Sequence, residues 1–268
     1  MSGRPHRAPW RALAAGLGIA LLVVNDAPAA ALSFQQGVDH GFGVYTGARD
    51  TRLIFGVNGN TNYGDNASGG IDGGSSAQHW LLGFDDILGA GPGRIAPGST
   101  ILAATLSVTV FNSGGSGRVH RMVSDWDEAL ATWNNFMLAG NLTAGLQADD
   151  LEARSVQSAS LPGAGVASAD VTADVQAWAD GAAAFGWGFI ATSSDGTFWH
   201  SSDYGVPAQR PRLTVEFTAP VPLPPAALLL AGGLLVLPRR GFAGHRPGIG
   251  SRPHLPDGRG DGRHSSPH

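Results

Sequence analysis

Between Ala104 and Phe111 the chain alternates without a break: Ala104, Leu106, Val108 and Val110 are apolar, while Thr105, Ser107 and Thr109 carry hydroxyls. A period of two puts every second side chain on the same face of an extended strand. Such a stretch demands a sheet with one face on a core and the other in water. Leu213, Val215 and Phe217, opposed by Arg212, Thr214 and Glu216, repeat the pattern, and Trp80, Leu82 and Phe84 alternate likewise. Asp50 to Val57 and Gly186 to Thr192 make further strands, and Gly, Asn, Ser and Pro clusters separate them all. This is the all-β pattern, and too few helical periods lie between strands for a parallel βαβ order. The expected fold is an antiparallel β-sandwich with one or two short helices.

One helix stands out. Val171, Val175 and Trp178 fall at i, i+4 and i+7, with Thr172 placed to cap the start and Gly181 to stop the end. It is expected to plug one end of the sandwich. Ser124 to Asp127 is a weaker capping-box match that predicts a single turn.

Composition sets the outer bounds. A chain of 268 residues can bury a sizeable core, and the absence of cysteine excludes disulfides, thiolate metal sites and thiol nucleophiles. All 17 basic residues are Arg, which reflects composition bias more than chemistry. Between Leu32 and Pro220 there are eight Arg against eighteen Asp plus Glu, so the central domain is acidic. Nucleic acid as a partner is excluded on that ground, since its binding needs a basic stripe.

The ends carry different signals. Arg4, Arg7 and Arg11 precede an apolar run from Ala12 to Val24, followed by the small-residue matches Ala27-Pro28-Ala29 and Ala29-Ala30-Ala31. That order is the pattern of a secretory signal peptide over residues 1–31, with Ala29 and Ala31 as processing residues and the mature chain starting near Leu32. Toward the other end, Val221-Pro222-Leu223-Pro224-Pro225 leads into the apolar run Ala226 to Leu237 and then Pro238-Arg239-Arg240. The segment is at the short limit for a membrane span, and Arg239 and Arg240 would hold its end on the cytoplasmic side.

A proline-rich opening (here with Pro222 and Pro224), a short apolar helix and a terminal Arg pair resemble the PEP-CTERM sorting signal of Gram-negative bacteria. The resemblance implies transient insertion of residues 220–240 in the inner membrane, cleavage by the sorting protease exosortase, and delivery to the cell surface or extracellular matrix. Two features depart from that family. Leu223 stands where Glu is usual, and 28 residues follow Arg240 where the family normally ends. Residues 241–268 are rich in Gly, Pro, Arg and His without periodicity, and a disordered tail is expected there.

The central residues carry a second resemblance. Ile95 to Ile101 with Ala103 to Leu106, Asp125 to Glu128 with Thr132 to Asn135, Asp170 to Trp178 with Gly186 to Phe189, and Phe198 to Asp203 with Arg210 to Val215 follow one another as segments similar to those of DNRLRE domains. They cover the expected domain at 32–219. The resemblance implies a jelly-roll-type β-sandwich in a secreted protein, related to carbohydrate-binding modules, with extracellular polysaccharide as partner.

Candidate ligand groups are few. Phe198 to Tyr204 crowds three aromatics with His, hydroxyls and a carboxylate after the Asp195-Gly196 turn. Sugars present apolar C–H faces and outward hydroxyls, which suit a flat aromatic flanked by short polar groups. Trp199, His200, Asp203 and Tyr204 meet that need, although a strand edge with ordinary hydrogen bonds fits the same residues. His120 and Arg121 could hold a carboxylated sugar by charge-assisted bonds, and a solvated strand edge explains them as well. Trp126, Trp133, Trp178 and Trp187 read as packing residues.

Asn58, Asn60, Asn62 and Asp65 imitate a calcium loop, but the glycine falls one late, at Gly64, and one ligand alone is charged. A turn-rich loop is the expectation there; no cofactor is expected, with structural calcium left open. For catalysis there is no G-x-S-x-G elbow, no H-E-x-x-H and no phosphate loop. The carboxylate neighbours Asp85-Asp86, Asp127-Glu128 and Asp149-Asp150 would point apart on a strand. The expected function is therefore non-catalytic association with polysaccharide. The alternatives are a structural matrix protein without a glycan site, or a polysaccharide lyase or hydrolase.

Overall fold

A computed structural model describes residues 27–221, apart from 138, 139, 141 and 163. Residues 1–26 of the expected signal peptide and the segment from Pro222 onward, including Pro224, Arg239, Arg240 and the expected disordered tail, lie outside the described residues. Among the described residues no helix is long and apolar enough to cross a membrane.

The strands are β1 (Ala29–Gln35), β2 (Ala48–Ile54), β3 (Ser68–Ile71), β4 (Gln78–Phe84), β5 (Thr100–Asn112), β6 (Gly117–Arg121), β7 (Ala159–Leu161), β8 (Val166–Asp170), β9 (Trp187–Ala191), β10 (Thr197–His200) and β11 (Arg212–Thr218), with helix α1 (Thr172–Ala179) between β8 and β9. They form two sheets. One has six strands in the order β1-β11-β5-β10-β3, with β8 also on β5, and the other runs β2-β4-β9-β6-β7. Strand β5 organises the first sheet. It pairs with β11 from Thr100 to Ser107 and with β10 at Val110 and Asn112, while β8 pairs with it from Thr105 to Thr109. Strands β10 and β11 thus lie end to end along β5, joined by the excursion 201–211. All the strand pairings are antiparallel. The all-β, two-sheet expectation is met.

The apolar phases read in the sequence face inward. Leu106, Val108, Leu213 and Val215 pack with Trp80, Leu82, Trp187, Phe189 and Trp199 in the core between the sheets. Strand β4, however, is apolar on both sides. Leu81 belongs to a second core with Leu53, Met122, Trp126, Trp133, Phe136 and Leu146, formed where the segment after β6 folds over the outer face of the five-stranded sheet. A sheet covered on both faces loses its alternation. The tryptophans read as packing residues, Trp126, Trp133, Trp178 and Trp187, are all buried.

Helix α1 occupies its expected place, with Val175 and Trp178 buried and the Trp178 and Trp187 rings 4.7 Å apart. Its cap differs from expectation. The Asp170 carboxylate accepts from Thr172 N (2.9 Å), while Thr172 Oγ1 accepts from Ala104 N of β5 (2.9 Å). The hydroxyl is drawn to the sheet because β5 offers a backbone donor there. Gly181 follows the helix at φ +106°, a conformation that L side chains rarely adopt. The turn predicted at Ser124 starts instead at Asp127, whose Oδ1 accepts from Ala129 N.

Strand β1 begins at Ala29, opposite Thr218 of β11, and Ala31 lies opposite Glu216. Strand β1 therefore starts three residues ahead of Leu32.

Candidate ligand-binding face

The outer face of the six-stranded sheet is laid out by register. Ser33, Thr214, Thr105 and Asp170 lie side by side across β1, β11, β5 and β8, and Arg212, Ser107 and Ser168 form the next row. Ser107 and Ser168 share a hydrogen bond of 3.0 Å between their hydroxyls. Thr109 and Val166 follow, and then the aromatic Phe111. A shallow hollow of about 100 Å³ opens between Ser107, Thr109, Val166, Arg210 and Arg212.

Strand β10 alternates across this sheet, with Thr197 and Trp199 inward and Phe198 and His200 outward. Trp199 is 1% exposed, with its ring 4.9 Å from Trp80 and 5.9 Å from Phe189. It has no open face for a sugar, so the expectation of Trp199 as a stacking platform is corrected. The reason lies in its partner: β3 places Gly69 opposite Trp199, and the missing side chain leaves room for the indole to turn into the core.

The other members of the predicted cluster stay at the surface. His200 stacks on Tyr204 with ring centroids 3.5 Å apart and planes at 14°, and on Phe111 at 5.0 Å and 26°. Phe111 is 53% exposed and reaches Phe198 at 6.5 Å. The Arg52 guanidinium sits over Tyr63 (5.1 Å) and Phe198 (5.9 Å). Burial in the stack holds the His200 pKa below the usual imidazole range. Asp203 is exposed beside it; partial burial and the nearby Asp65 push its pKa up, and Arg210 opposes them. The structure thus stacks His200 on Tyr204, leaves Asp203 exposed in the turn between them, and adds Phe111, which the sequence reading missed. A signal for Phe111 was present, because it continues the phase of Thr105, Ser107 and Thr109 on β5 with a large apolar ring in place of a hydroxyl.

The segment carrying Tyr204 is fastened on several sides. Arg210 Nε donates to Tyr204 O (2.6 Å) and Arg210 Nη1 to Gln36 O (2.9 Å), while Ser201 Oγ donates to Asn66 O (2.6 Å). Ser202 N donates to Asp50 Oδ2 at 2.6 Å. Asp50 is wholly buried on β2 and takes a second bond from Trp80 Nε1 (3.2 Å), while its own N–H donates to Glu128 Oε1 (2.6 Å). Desolvation raises Asp50 to about 6 and Glu128 to about 7. Glu128 entered the sequence reading only as the neighbour of Asp127, and Asp50 not as a site at all, because Asp50 and Arg52 occupy inward positions where an apolar phase would be read.

His120 and Arg121 lie on the other sheet, away from this cluster. Strand β6 is paired on both sides, with β9 and β7, so it is not a solvated edge. His120 is buried with Nδ1 2.9 Å from Arg154 O, and burial lowers its pKa. Arg121 Nε meets Asp174 Oδ1 at 3.4 Å, and Trp187 Nε1 donates to Asp174 Oδ2 at 2.7 Å. The carboxylate expected from a sugar acid is supplied here by the protein itself.

The loop read as a calcium mimic serves as a staple. Asn62 Nδ2 donates to the carbonyls of Glu128 (2.7 Å) and Ala131 (2.9 Å), and Asn134 Nδ2 donates to Asn60 Oδ1 (3.0 Å). Among the described residues no three His, Cys, Asp or Glu side chains group as a metal site. The Asp85-Asp86 and Asp149-Asp150 neighbours sit in turns, with Asp86 at φ 59° and Asp150 at φ 69°, and Asp85 is paired with Arg49 at 3.1 Å.

No protein-family model matches the chain, and no curated protein aligns with it. The outer face has to be read from its own chemistry.

Proposed function

We propose that the protein is an exported, non-catalytic surface or matrix protein whose β-sandwich associates with extracellular polysaccharide through the outer face of the six-stranded sheet. The observation that carries this reading is the aromatic stack Phe111-His200-Tyr204 at the end of a row of hydroxyls from Thr105, Ser107, Thr109 and Ser168. Exposed rings offer apolar faces and edges to sugar C–H groups, while serine and threonine hydroxyls exchange hydrogen bonds with sugar hydroxyls. The face is broad and shallow, which suits a chain passing across it more than a small molecule enclosed by it. A non-catalytic role is supported by the carboxylates with the most raised pKa values. Asp50 is sealed in the core and accepts from Trp80 and Ser202, so it does not face Glu128 across an open cleft.

The leader pattern and the PEP-CTERM-like tail supply the address in this proposal. Transient anchoring in the inner membrane and cleavage by an exosortase would release the domain at the surface of a Gram-negative cell. Affinity gel electrophoresis against neutral and acidic polysaccharides tests the binding. Retardation by at least one polysaccharide, weakened in Phe111→Ala and in Tyr204→Ala, is the expected result. Unretarded migration in all of them overturns the proposal in favour of a purely structural matrix protein.

A further inference from the structure

The loop that completes the aromatic stack is held from the opposite sheet. Ser202, two residues before Tyr204, donates its backbone N–H into Asp50 Oδ2 at 2.6 Å, and Asp50 belongs to β2 of the five-stranded sheet. Its other oxygen accepts from the buried Trp80 Nε1 at 3.2 Å. No cation pairs with this carboxylate among the ion pairs of the described residues. Burying a carboxylate carries a large desolvation cost, and an N–H bonded to a charged oxygen is roughly twice as strong as a neutral bond. What the cost secures here is the position of one backbone segment.

We propose that Asp50 is a positioning residue for the ligand face, fixing Ser202 and through it the seat of the Tyr204 ring against His200. The inference rests on the reading of that face as the binding surface. It makes the face acid-sensitive. Placing a proton on one Asp50 oxygen makes that oxygen a donor and a poorer acceptor, which weakens the bond it takes from Ser202 N or from Trp80 Nε1. Burial brings this titration up to about 6, into the mildly acidic range. The charged groups facing Asp50 are Glu128, which accepts from its backbone N–H, Asp203 beyond Ser202, and Arg52 on the same strand. Asp203 and Glu128 repel the Asp50 charge and favour protonation, while Arg52 resists it.

The test needs no knowledge of the glycan. The full chain has three tyrosines, and 3-fluorotyrosine gives each a fluorine resonance, with Tyr204 assigned by Tyr204→Phe and Tyr45 as internal reference. At pH 7.5 the stacked Tyr204 signal should stand apart, displaced by the ring current of His200. In Asp50→Asn it should move toward the position of free fluorotyrosine while the Tyr45 signal stays in place. A Tyr204 signal unchanged in a folded Asp50→Asn protein overturns the proposal.

If Asp50→Asn fails to fold, the Tyr45 signal collapses as well, and a pH series on His200→Phe decides, because that stack no longer holds an imidazole. Movement of the Tyr204 signal with a midpoint near pH 6 supports the proposal, and a flat response from pH 7.5 to 5 overturns it. Affinity gels on the same samples separate the two readings. A displaced Tyr204 with no polysaccharide bound even by the wild type removes the functional reading alone. An undisplaced Tyr204 with wild-type binding intact removes the positioning role alone.

Discussion

Trp80 and Trp199 form a natural pair for testing the energetics of this core. Both are wholly buried, their rings are 4.9 Å apart, and both contact Phe189. They differ in one hydrogen bond. Trp80 Nε1 donates to Asp50, whereas Trp199 Nε1 is buried with no partner. Trp→Phe at either position removes comparable ring area and leaves a comparable void, so the packing losses nearly cancel between the two variants. Trp80→Phe also strips a buried carboxylate of a donor, at about 1.5–3 kcal/mol for a bond to a charged group. Trp199→Phe removes an unsatisfied N–H, which offsets about 1 kcal/mol of its own packing loss. Trp80→Phe is therefore expected to be less stable than Trp199→Phe by about 2–4 kcal/mol at pH 7.5, or roughly 5–15 °C in Tm for a domain of this size. Urea unfolding followed by circular dichroism measures the difference. It should narrow at pH 5, where a protonated Asp50 loses less when its donor is gone. Equal stabilities at pH 7.5, or a less stable Trp199→Phe, would refute the assignment of the Trp80 bond.

Other consequences are equally open to measurement. Tyr204→Ala and Phe111→Ala should each weaken polysaccharide retardation by about 2–10-fold, the effect of one stacking contact of 0.5–1.5 kcal/mol. Their unfolding midpoints should stay close to wild type, and a loss of binding that merely tracks a loss of stability would count against the face. Asp50 and Glu128 are raised in the folded state to about 6 and about 7, above ordinary values of 3.8 and 4.5. Between those limits the native state binds more protons than the unfolded one, so stability should fall as pH rises from about 4.5 to 7 and level off above. Unfolding free energies that climb from pH 5 to pH 8 would contradict this. Gly69→Ala would drive a Cβ into Trp199 Nε1 and Trp80 Cε2, closer than real Cβ atoms come to a neighbour. Neither indole can retreat in a packed core, so a cost of about 1–3 kcal/mol is expected in thermal melts, and a neutral substitution would show the core to be looser than these contacts imply.

The sequence displayed the parts of this molecule that obey one rule at a time. Strands β5 and β11 face core on one side and water on the other, so their period of two could be read directly. Helix α1 was legible because Val175 and Trp178 line a single stripe. The second core was not, since the segment over Leu81 is irregular and its burial depends on chain that returns from far along the sequence. Trp199 misled for a related reason: whether an aromatic in an alternating strand points in or out depends on Gly69, a residue on another strand. Of the predicted cluster, His200 and Tyr204 stand together because only three residues and a tight turn separate them. Phe111 joined them through the pairing of β10 with β5, which local pattern does not reveal. His120 and Arg121 turned out to have protein partners, Arg154 O and Asp174, each more than thirty residues away.

The pairing of Ala29 with Thr218 carries a mechanical consequence. The first and last strands of the domain are antiparallel neighbours, so the chain enters and leaves at adjacent points on the same rim. Force applied to both ends at once would act across the β1–β11 ladder and open its hydrogen bonds singly, like a zip, whereas strands loaded lengthwise share the strain among many bonds. A domain wired in this way resists traction poorly while it is gripped at both ends and bears none across that ladder once either grip is cut.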